Sequence, residues 1–317
     1  MSGKDSLCCF HSGNCANVTR LFFELNTTCN LNCDFCHTVG EVQTQGLSAH
    51  DIFYRLRELA DRNVSEFIFS GGEPLLRKDL LDILRFARSL GLKLDLCTNG
   101  TLIDREHAYS LSEFLSEISV SVDASDARVH DRIRRQDGAH KKTLEGITYL
   151  RDAGLEVHVI SMVDVRTIPY LEETARQMEN MGVHSLSFIG RMQVDDPDSL
   201  PLWLTNADKI GDIIQKIRAE RSIQINTKRL LFSPSDFVCP AGDTFLSIDA
   251  RGADLPCILM KRLDAKSIDS WKKSFQIDRE RKCKKCQYYE ICTGGCPGAQ
   301  AIYSGTVGID PLCPYAK

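Results

Sequence analysis

The length, composition and charge of this chain exclude several classes of protein. It has 317 residues, with 39 Lys and Arg against 43 Asp and Glu and a formal net charge of −4. Because no run of basic residues stands out, neither nucleic acid nor an anionic membrane is expected as a partner. No apolar stretch approaches the roughly 20 residues of a membrane span, and the N-terminus lacks an apolar signal-peptide core, so we expect a cytoplasmic protein.

Cysteine is frequent, with 14 in the chain. Because the cytosol keeps thiols reduced, we expect metal ligands or redox groups rather than disulfides. A chain of this length can bury a core large enough for an enzyme, and its default partner is a small molecule or a peptide.

From residue 20 onward, short apolar runs alternate with amphipathic segments of helical period, which is typical of a βα series. Ser48 is a candidate helix N-cap, and Gly91, Gly154 and Gly182 each follow an amphipathic segment. Six strand-plus-helix units predict an α/β fold with a parallel sheet, either curved into a partial (βα)6 barrel or doubly wound. The predicted strands are residues 20–25, 65–74, 92–100, 116–123, 155–163 and 184–190.

The character of the chain changes near residue 230. Residues 233–257 are typical of a short hairpin between cysteines, and residues 278–317 are rich in Cys, Lys, Gly and Pro with weak periodicity. Because such a stretch cannot build a core of its own, it needs metal to hold it together. We therefore predict a polar leader at residues 1–19, an α/β domain at residues 20–230 and a small cysteine-rich domain at residues 231–317.

Three cysteines, Cys29, Cys33 and Cys36, follow the first predicted strand. A loop at the C-terminal end of a barrel strand is the usual place for chemistry in such folds. A closed iron–sulfur cluster or a structural zinc site normally takes four protein ligands, so three thiolates around a four-iron cluster leave one iron open to bind substrate or cofactor. The alternative is a zinc or disulfide cluster that uses a fourth residue such as His37.

The spacing Cys-x3-Cys-x2-Cys, with Phe35 before the last cysteine, resembles the radical S-adenosylmethionine (SAM) enzymes. The resemblance implies that the open iron of a catalytic [4Fe–4S] cluster chelates the amino and carboxylate groups of SAM. It also implies that an electron from the cluster cleaves the sulfonium, and that the 5′-deoxyadenosyl radical abstracts a substrate hydrogen. A flavodoxin or ferredoxin is then the expected reductant.

Further strand-end residues match the same family and are expected to bind SAM. In the family, the "SGGEP" element accepts the methionine ammonium through its backbone and Glu73. The resemblance suggests that Ser121 contacts the ribose and that Arg134 holds the cofactor carboxylate, with Arg132 or Arg135 as alternatives. Each element also has a structural interpretation, because two glycines make a tight turn and "HDRIRRQDG" makes a solvated basic turn. The expected SAM contacts are Phe35, Gly71, Gly72, Glu73, Ser121, Asp123 and Arg134.

The C-terminal cysteines form a second group. Their order and spacing resemble the seven-cysteine SPASM extension of radical SAM enzymes, which carries two auxiliary [4Fe–4S] clusters and makes three clusters in all. By that resemblance, one auxiliary cluster is ligated by Cys283, Cys286, Cys292 and Cys313. The other is ligated by Cys239, Cys257 and Cys296. Its fourth place is left to Asp243 or Asp249, an unplaced thiol or the substrate, and a zinc ribbon is the alternative for residues 283–296.

Four cysteines fall outside both groups: Cys8, Cys9, Cys15 and Cys97. Cys97 ends the third strand, so its thiol either faces the cavity as a hydrogen donor or is an inert buried side chain. Residues 98–100, "TNG", are expected to make a turn rather than to bind a ligand. Sulfatase-maturing relatives have a catalytic Asp directly after the cysteine that matches Cys257; Ile258 stands there in this chain, which argues against that activity.

Three functions follow from these patterns. The first is a radical SAM oxidoreductase that crosslinks, oxidises or epimerises a ribosomally synthesised peptide, with a separate precursor-recognition protein because residues 1–19 are too short for that task. The second is the same chemistry on a small molecule such as a sugar or aminocyclitol in natural-product biosynthesis, which the compact chain favours. The third is a zinc-stapled binding protein without catalysis. The sequence singles out no catalytic residue.

Overall fold

The structure is a computed structural model that describes residues 18–38, 41–190, 207–228, 240–261, 263–264, 270–274 and 283–286, together with residues 296, 298 and 301. The predicted leader, and the predicted ligands Cys239, Cys292 and Cys313, lie outside the described residues. Within the described part, none of the helices is both long enough and apolar enough to cross a membrane.

One sheet unites the nine strands of the described residues. The six predicted strands are all present: β1 (Arg20–Glu24), β2 (Glu66–Ser70), β3 (Lys93–Thr98), β4 (Glu117–Ser121), β5 (Glu156–Val163) and β6 (Ser185–Gly190). Three more follow: β7 (Gln224–Lys228), β8 (Phe245–Ile248) and β9 (Asp254–Leu255). The strand order is β7-β6-β5-β4-β3-β2-β1-β8-β9, and the pairs are parallel except for antiparallel β8 and β9. The predicted α/β fold with a parallel sheet is confirmed.

Helices lie between most of the strands. The described α-helices are α1 (Ala49–Ala60), α2 (Leu80–Ser89), α3 (Arg105–Ser112), α4 (Ala127–Arg134), α5 (Ala139–Asp152), α6 (Leu171–Asn180) and α7 (Ala207–Glu220). Short 3-10 turns occur at Pro74–Leu76, Ile168–Tyr170 and Ile258–Met260. Ser48 caps α1 as predicted, because its hydroxyl accepts a hydrogen bond from the Asp51 amide at 3.2 Å. The left-handed backbone of Gly91 and Gly154, with φ angles of 77° and 85°, stops α2 and α5.

The first half of the segment interpreted as a solvated basic turn, residues 130–134, instead belongs to α4, and only residues 135–138 are an exposed turn. The Asp126 carboxylate accepts from the amides of Arg128 and Val129, at 2.9 and 3.3 Å, and so begins the helix. The side chains of Ile133 and Arg134 are buried. The helix turns Arg134 toward the interior, whereas a solvated turn would expose it.

The two faces of the sheet carry different side chains. The outer face packs under the helices and is apolar, with fully or nearly fully buried Phe67, Phe69, Leu94, Leu96, Ile118, Val120, Val157, Val159, Leu186 and Phe188. Because side chains alternate along a strand, the opposite face carries the intervening residues. This second face, called the cavity face, includes Asp95, Ser119, His158 and Ser187. The Ser119 hydroxyl donates to the Asp95 carboxylate at 3.1 Å, and the Ser187 hydroxyl lies 2.9 Å from His158 Nε2.

The sheet also includes the beginning of the predicted C-terminal domain. The predicted hairpin is present as β8 and β9, but β8 additionally pairs in parallel with β1. Arg55 on α1, which is half-buried, forms an ion pair with buried Asp254 on β9. Beside the sheet, a small separate apolar cluster consists of Ala241, Met260, Leu263, Trp271 and Ala301. The boundary near residue 230 stays a prediction.

Candidate active site

A cavity of about 300 Å³ opens at the C-terminal ends of the strands. Strands β2 to β5 contribute Ser70, Cys97, Ser121 and Met162 to its wall. The rest of the wall comes largely from the loop between β1 and α1, residues 25–48, which is called the cluster loop. This volume and position are typical of a small-molecule site in a parallel α/β fold. The strand ends therefore meet where the sequence analysis expects chemistry.

The structure brings together the three cysteines of the N-terminal group, because Cys29, Cys33 and Cys36 all line the cavity. Cys33 is buried, and the other two are half-buried. Burial raises the pKa of Cys29 to about 11 and also raises the pKa of Cys33. Such thiols stay protonated at neutral pH unless a bound cation compensates their charge, and metal binding then releases the proton.

The surroundings of these sulfurs fit an iron–sulfur cluster. The Leu31 amide donates to Cys29 Sγ at 3.4 Å, and Arg134 Nη1 lies 3.8 Å from Cys33 Sγ. N–H groups and positive charge beside the sulfurs are the means by which proteins tune such clusters. Among the described residues, no three His, Cys, Asp or Glu side chains are arranged around a single metal ion. Three thiols with a backbone N–H group and a guanidinium beside them are a donor set that suits an iron–sulfur cluster.

The cluster loop is anchored from several directions. Within the loop, the Thr27 amide donates to the Thr44 carbonyl at 3.0 Å. The Asp34 amide donates to the carbonyl of Ile133 on α4 at 3.1 Å, and Arg166, which follows β5, forms an ion pair with the Asp34 carboxylate at 2.6 Å. Two of these anchors act on Asp34, directly after Cys33, so this part of the loop is fixed to α4 and to the segment after β5.

Arg134 has a bidentate partner within the protein. Its Nε and Nη2 donate to the two oxygens of Asp123 at 2.7 and 3.0 Å, and both side chains are buried. Its Nη1 faces Cys33, and its guanidinium carbon lies 5.0 Å from the centre of the Phe35 ring. Arg134 and Phe35 line the cavity. The ion pair with Asp123 fixes the guanidinium beside the cysteines, and the roles of these three residues in binding SAM stay predictions.

Glu73 lies behind the cavity wall and is fully buried. Its carboxylate accepts from the Thr98 hydroxyl and the Asn99 amide, both at 2.8 Å, and from the Leu75 amide at 3.2 Å. Burial raises the pKa of Glu73, while the bonds from Asn99 and Thr98 oppose that rise. In this structure the carboxylate holds the ends of β2 and β3 together, so its predicted contact with the methionine ammonium stays a prediction.

Gly71 and Gly72 do line the cavity. A Cβ atom on Gly71 would lie 2.2 Å from the side-chain oxygen of Asn26, and one on Gly72 would lie 2.3 Å from the carbonyl oxygen of Thr28. The Gly72 amide donates to the Asn26 carbonyl at 2.8 Å. Glycine is required at both positions because the turn packs directly on the start of the cluster loop, and this exposes backbone to the cavity.

Asn99 is a cavity residue that the sequence analysis assigned only to a turn. It does make that turn, since its Oδ1 accepts from the Thr101 amide at 2.9 Å. It also lines the cavity, donates to the side-chain oxygen of Asn30 at 2.9 Å, and places its Nδ2 3.9 Å from Cys29 Sγ. Its place directly after a barrel strand was the available signal. Ser121 and Cys97 also line the cavity.

The described part of the C-terminal group comprises Cys257, Cys283, Cys286 and Cys296. The Cys286 amide donates to the Cys283 carbonyl at 2.8 Å, which makes a tight turn between these two cysteines. The two carboxylates considered for the vacant ligand position have partners: Asp243 pairs with Lys272, and Asp249 pairs with Arg251. The auxiliary-cluster ligands stay a prediction.

The class of protein is an α/β enzyme whose iron–sulfur cluster is held by three cysteines. Its parallel strands end at one cavity, and the three cysteines lie on the loop after the first strand. Residues 23–178 match the model described as the Radical SAM superfamily, and the chain belongs to this superfamily. The resemblance inferred from the cysteine motifs is confirmed. The alternative of a zinc-stapled protein without catalysis is set aside.

Relatives that align over most of the chain are named as two different enzymes. The "AdoMet-dependent heme synthase" of Oleidesulfovibrio alaskensis is 27% identical over 92% of this chain and 86% of its own length. The "PqqA peptide cyclase" of Bradyrhizobium diazoefficiens is 27% identical over 92% of this chain and 85% of its own length. These alignments extend beyond the part of the chain that matches the superfamily model.

A solved structure shares the fold over nearly the whole chain. Streptococcus suis SuiB bound to S-adenosylmethionine superposes with a TM-score of 0.76 and 17% sequence identity, covering 96% of this chain and 79% of SuiB. A second SuiB structure, bound to the precursor peptide SuiA, covers 94% of this chain and 76% of SuiB, with a TM-score of 0.68 and 18% identity. The predicted partial-barrel fold is confirmed.

Proposed function

We propose that this enzyme holds a [4Fe–4S] cluster through Cys29, Cys33 and Cys36, cleaves SAM reductively and abstracts a hydrogen from a ribosomally synthesised peptide, which it crosslinks, oxidises or epimerises. The observation that carries the proposal is the convergence of these three thiols on one cavity whose other walls offer backbone and polar groups. When bound, the cluster supplies the electron that splits the sulfonium.

The residues of the chain bind and orient SAM in this proposal. The exposed backbone at Gly71 and Gly72 accepts the ammonium of the methionine moiety, and the Ser121 hydroxyl bonds the ribose. Arg134, locked by Asp123, supplies a fixed positive charge for the cofactor carboxylate through its Nη1. Glu73 keeps the ends of β2 and β3 in register so that these groups stay at the cavity wall.

The C-terminal cysteines belong to the same proposal as ligands of two auxiliary [4Fe–4S] clusters. Bound there, such a cluster would supply an acceptor for the electron that a substrate radical gives up in a net two-electron oxidation. The heme synthase and the peptide cyclase support a role for the C-terminal cysteines, because their alignments cover 92% of this chain and so continue past residue 178 into the cysteine-rich region. A flavodoxin or ferredoxin is the expected electron donor, and a separate recognition protein delivers the peptide.

Named relatives favour both candidate substrates: PqqA peptide cyclases of two organisms favour a peptide, and heme synthases of three organisms favour a small molecule. The PqqA peptide cyclase acts on a peptide by its name, and SuiB has been solved with its precursor peptide. The heme synthase, at the same 27% identity, favours the second candidate, radical chemistry on a small molecule. The decisive observation is a mass change in a candidate precursor peptide, or in a small-molecule candidate, that depends on SAM and reductant.

The first experiment is anaerobic reconstitution with iron and sulfide, followed by dithionite and SAM. Three four-iron clusters would bring about 12 irons per chain, and the triple variant Cys29→Ala, Cys33→Ala, Cys36→Ala would keep about 8. We expect 5′-deoxyadenosine from the wild type and none from the triple variant. The Cys97→Ser variant is the matched control for iron content, because it removes a thiol from the same cavity without removing a proposed ligand. Full iron content in the triple variant would contradict the proposal.

A further inference from the structure

A buried lysine joins the C-terminal region to the cluster loop. The Lys261 ammonium lies 3.1 and 3.4 Å from the two carboxylate oxygens of Glu24, and 2.8 Å from a carboxylate oxygen of Glu41. The side chains of Lys261 and Glu24 are 5% and 1% exposed. One buried cation thus bridges a buried carboxylate, that of Glu24, and a partly exposed one, that of Glu41.

The three partners belong to three different segments. Glu24 is the last residue of β1, where the cluster loop begins. Glu41 lies farther along the cluster loop and lines the cavity. Lys261 directly follows the 3-10 turn Ile258–Met260, whose N-cap is Cys257. The ammonium therefore connects both limbs of the cluster loop to a segment four residues after a proposed auxiliary-cluster ligand.

Glu24 is the centre of this network. Besides Lys261, its carboxylate contacts His37 Nε2 at 3.3 Å, and it accepts from the Ala250 amide at 3.2 Å. His37 follows Cys36 in sequence and lines the cavity. The Ile258 amide, in turn, donates to the Ser247 hydroxyl at 3.0 Å, which fixes the lysine-bearing turn to β8.

The cost of burial argues for a role beyond stability. Removing a carboxylate and an ammonium from water costs several kcal/mol per ion, and an apolar pair of similar volume is often as stable. Such a network is worth retaining where it fixes one arrangement of neighbouring segments. Two of its members, His37 and Glu41, line the cavity.

We propose that Lys261 is a positioning residue that holds the cluster loop in the geometry needed for the catalytic cluster and SAM, and that it ties this loop to the C-terminal cysteine region. The catalytic part of this inference rests on the proposed function. Through Glu24 and Glu41, the lysine closes the loop from the side opposite Arg166 and α4. The C-terminal region thereby helps to assemble the active site, although none of its described cysteines lines the cavity.

Hydrogen–deuterium exchange of the holoenzyme tests the tie itself, independently of any reaction. In Lys261→Met, we expect peptides of the cluster loop to exchange about tenfold faster than in the wild type, while peptides of α5 are unchanged. The matched control is Lys272→Met, which removes a half-exposed lysine of the C-terminal region that pairs with Asp243. It should leave exchange in the cluster loop unchanged.

The double variant Glu24→Gln, Lys261→Met guards against simple misfolding. It removes both buried charges together, so it avoids leaving one of them unpaired, and we expect a folded protein whose cluster loop still exchanges faster. Lys261→Arg keeps the charge and should restore slow exchange in part. Wild-type exchange in a folded Lys261→Met or in the double variant would overturn the proposal.

SAM binding tests the catalytic part. We expect Lys261→Met to raise the dissociation constant of SAM about tenfold. We also expect a smaller SAM-induced change in the EPR spectrum of the reduced enzyme. Both effects should be partly reversed in Lys261→Arg. Unchanged affinity and spectrum would overturn the positioning role. If the wild type produced no 5′-deoxyadenosine while the cluster loop still loosened in Lys261→Met, the proposed function would fail and the tie between the segments would be supported.

Discussion

The outer face and the cavity face of the sheet use the same strands for opposite purposes. On the outer face, side chains such as Phe67 and Val159 are fully buried against the helices. On the cavity face, the alternate positions carry polar side chains that bond between strands: Ser119 donates to Asp95, and His158 bonds to Ser187. Along each strand, stability and chemistry are therefore assigned to alternate residues.

This alternation explains how the site can be polar without weakening the fold. Burial of apolar area between sheet and helices supplies the main favourable free energy. The cavity face then has polar groups whose burial is offset by hydrogen bonds rather than by apolar contact. Substitutions on the outer face should therefore change the free energy of unfolding through lost apolar burial. Substitutions on the cavity face should change it through lost hydrogen bonds or altered charge.

The largest expected effect comes from unpairing a buried charge at the top of the cavity face. Arg134→Met leaves the Asp123 carboxylate buried without its partner, so we expect a loss of about 3–5 kcal/mol in the free energy of unfolding, measured by urea denaturation. The control is Arg128→Met on the same helix, whose side chain is 90% exposed and pairs with Asp126. A comparable loss in both variants would contradict the distinction.

Truncation on the outer face should cost nearly as much. Phe67 is 0% exposed, so Phe67→Ala removes a full aromatic side chain from the core and should lower the free energy of unfolding by about 3–5 kcal/mol. Phe22, on the cavity face of neighbouring β1, is half-buried. We expect Phe22→Ala to cost less than half as much in the same denaturation experiment, and equal costs would refute the assignment of the core to the outer face.

Removing a charge from the cavity face should stabilise the protein. Burial and the nearby Glu117 raise the pKa of Asp95 to about 6, from an ordinary value of 3.8. Because the folded-state pKa is raised, the neutral carboxyl contributes stability that is full below the unfolded-state pKa and lost as the pH rises through 6. Asp95→Asn should therefore gain up to about 3 kcal/mol at neutral pH, where the shift of about two units is fully expressed.

The pH dependence separates this effect from a change in packing. At pH 5 the gain should be about half of that at pH 7.5, because the unfolded carboxyl is ionised at both values while the folded one is largely neutral at the lower. Urea denaturation of both proteins at the two pH values measures it. A gain that is equal at pH 5 and pH 7.5 would show that ionisation is not the cause.

The smallest effect concerns a single neutral hydrogen bond on the cavity face. Ser187→Ala removes the hydroxyl 2.9 Å from His158 Nε2, and we expect a loss of about 1 kcal/mol. Thr148→Ala is a suitable comparison, since its exposed hydroxyl donates to the Leu144 carbonyl on the surface of α5. That variant should change the free energy of unfolding little, and a larger loss there would contradict the expectation.

The strands were predictable because β1 and β2 are short apolar runs, β3 and β4 alternate apolar and polar residues, and β1 to β6 each pair with a strand next to them in sequence. Helix α4 was missed because its eight residues, ARVHDRIR, include few apolar side chains. The cysteine groups could be predicted from their spacing in the sequence. Three contacts could not, because they join residues that are 70, 132 and 237 positions apart: Asn99 with Cys29, Arg166 with Asp34 and Lys261 with Glu24. Such pairings depend on the folded topology, which spacing along the chain does not encode.

The pairing of β1 with β8 has a consequence for biosynthesis. Among the described strands, the one that covers the second edge of β1 is β8, which emerges from the ribosome more than two hundred residues after β1. Until then, that edge offers unpaired backbone groups to other nascent chains. Truncated products that stop before β8 should consequently aggregate.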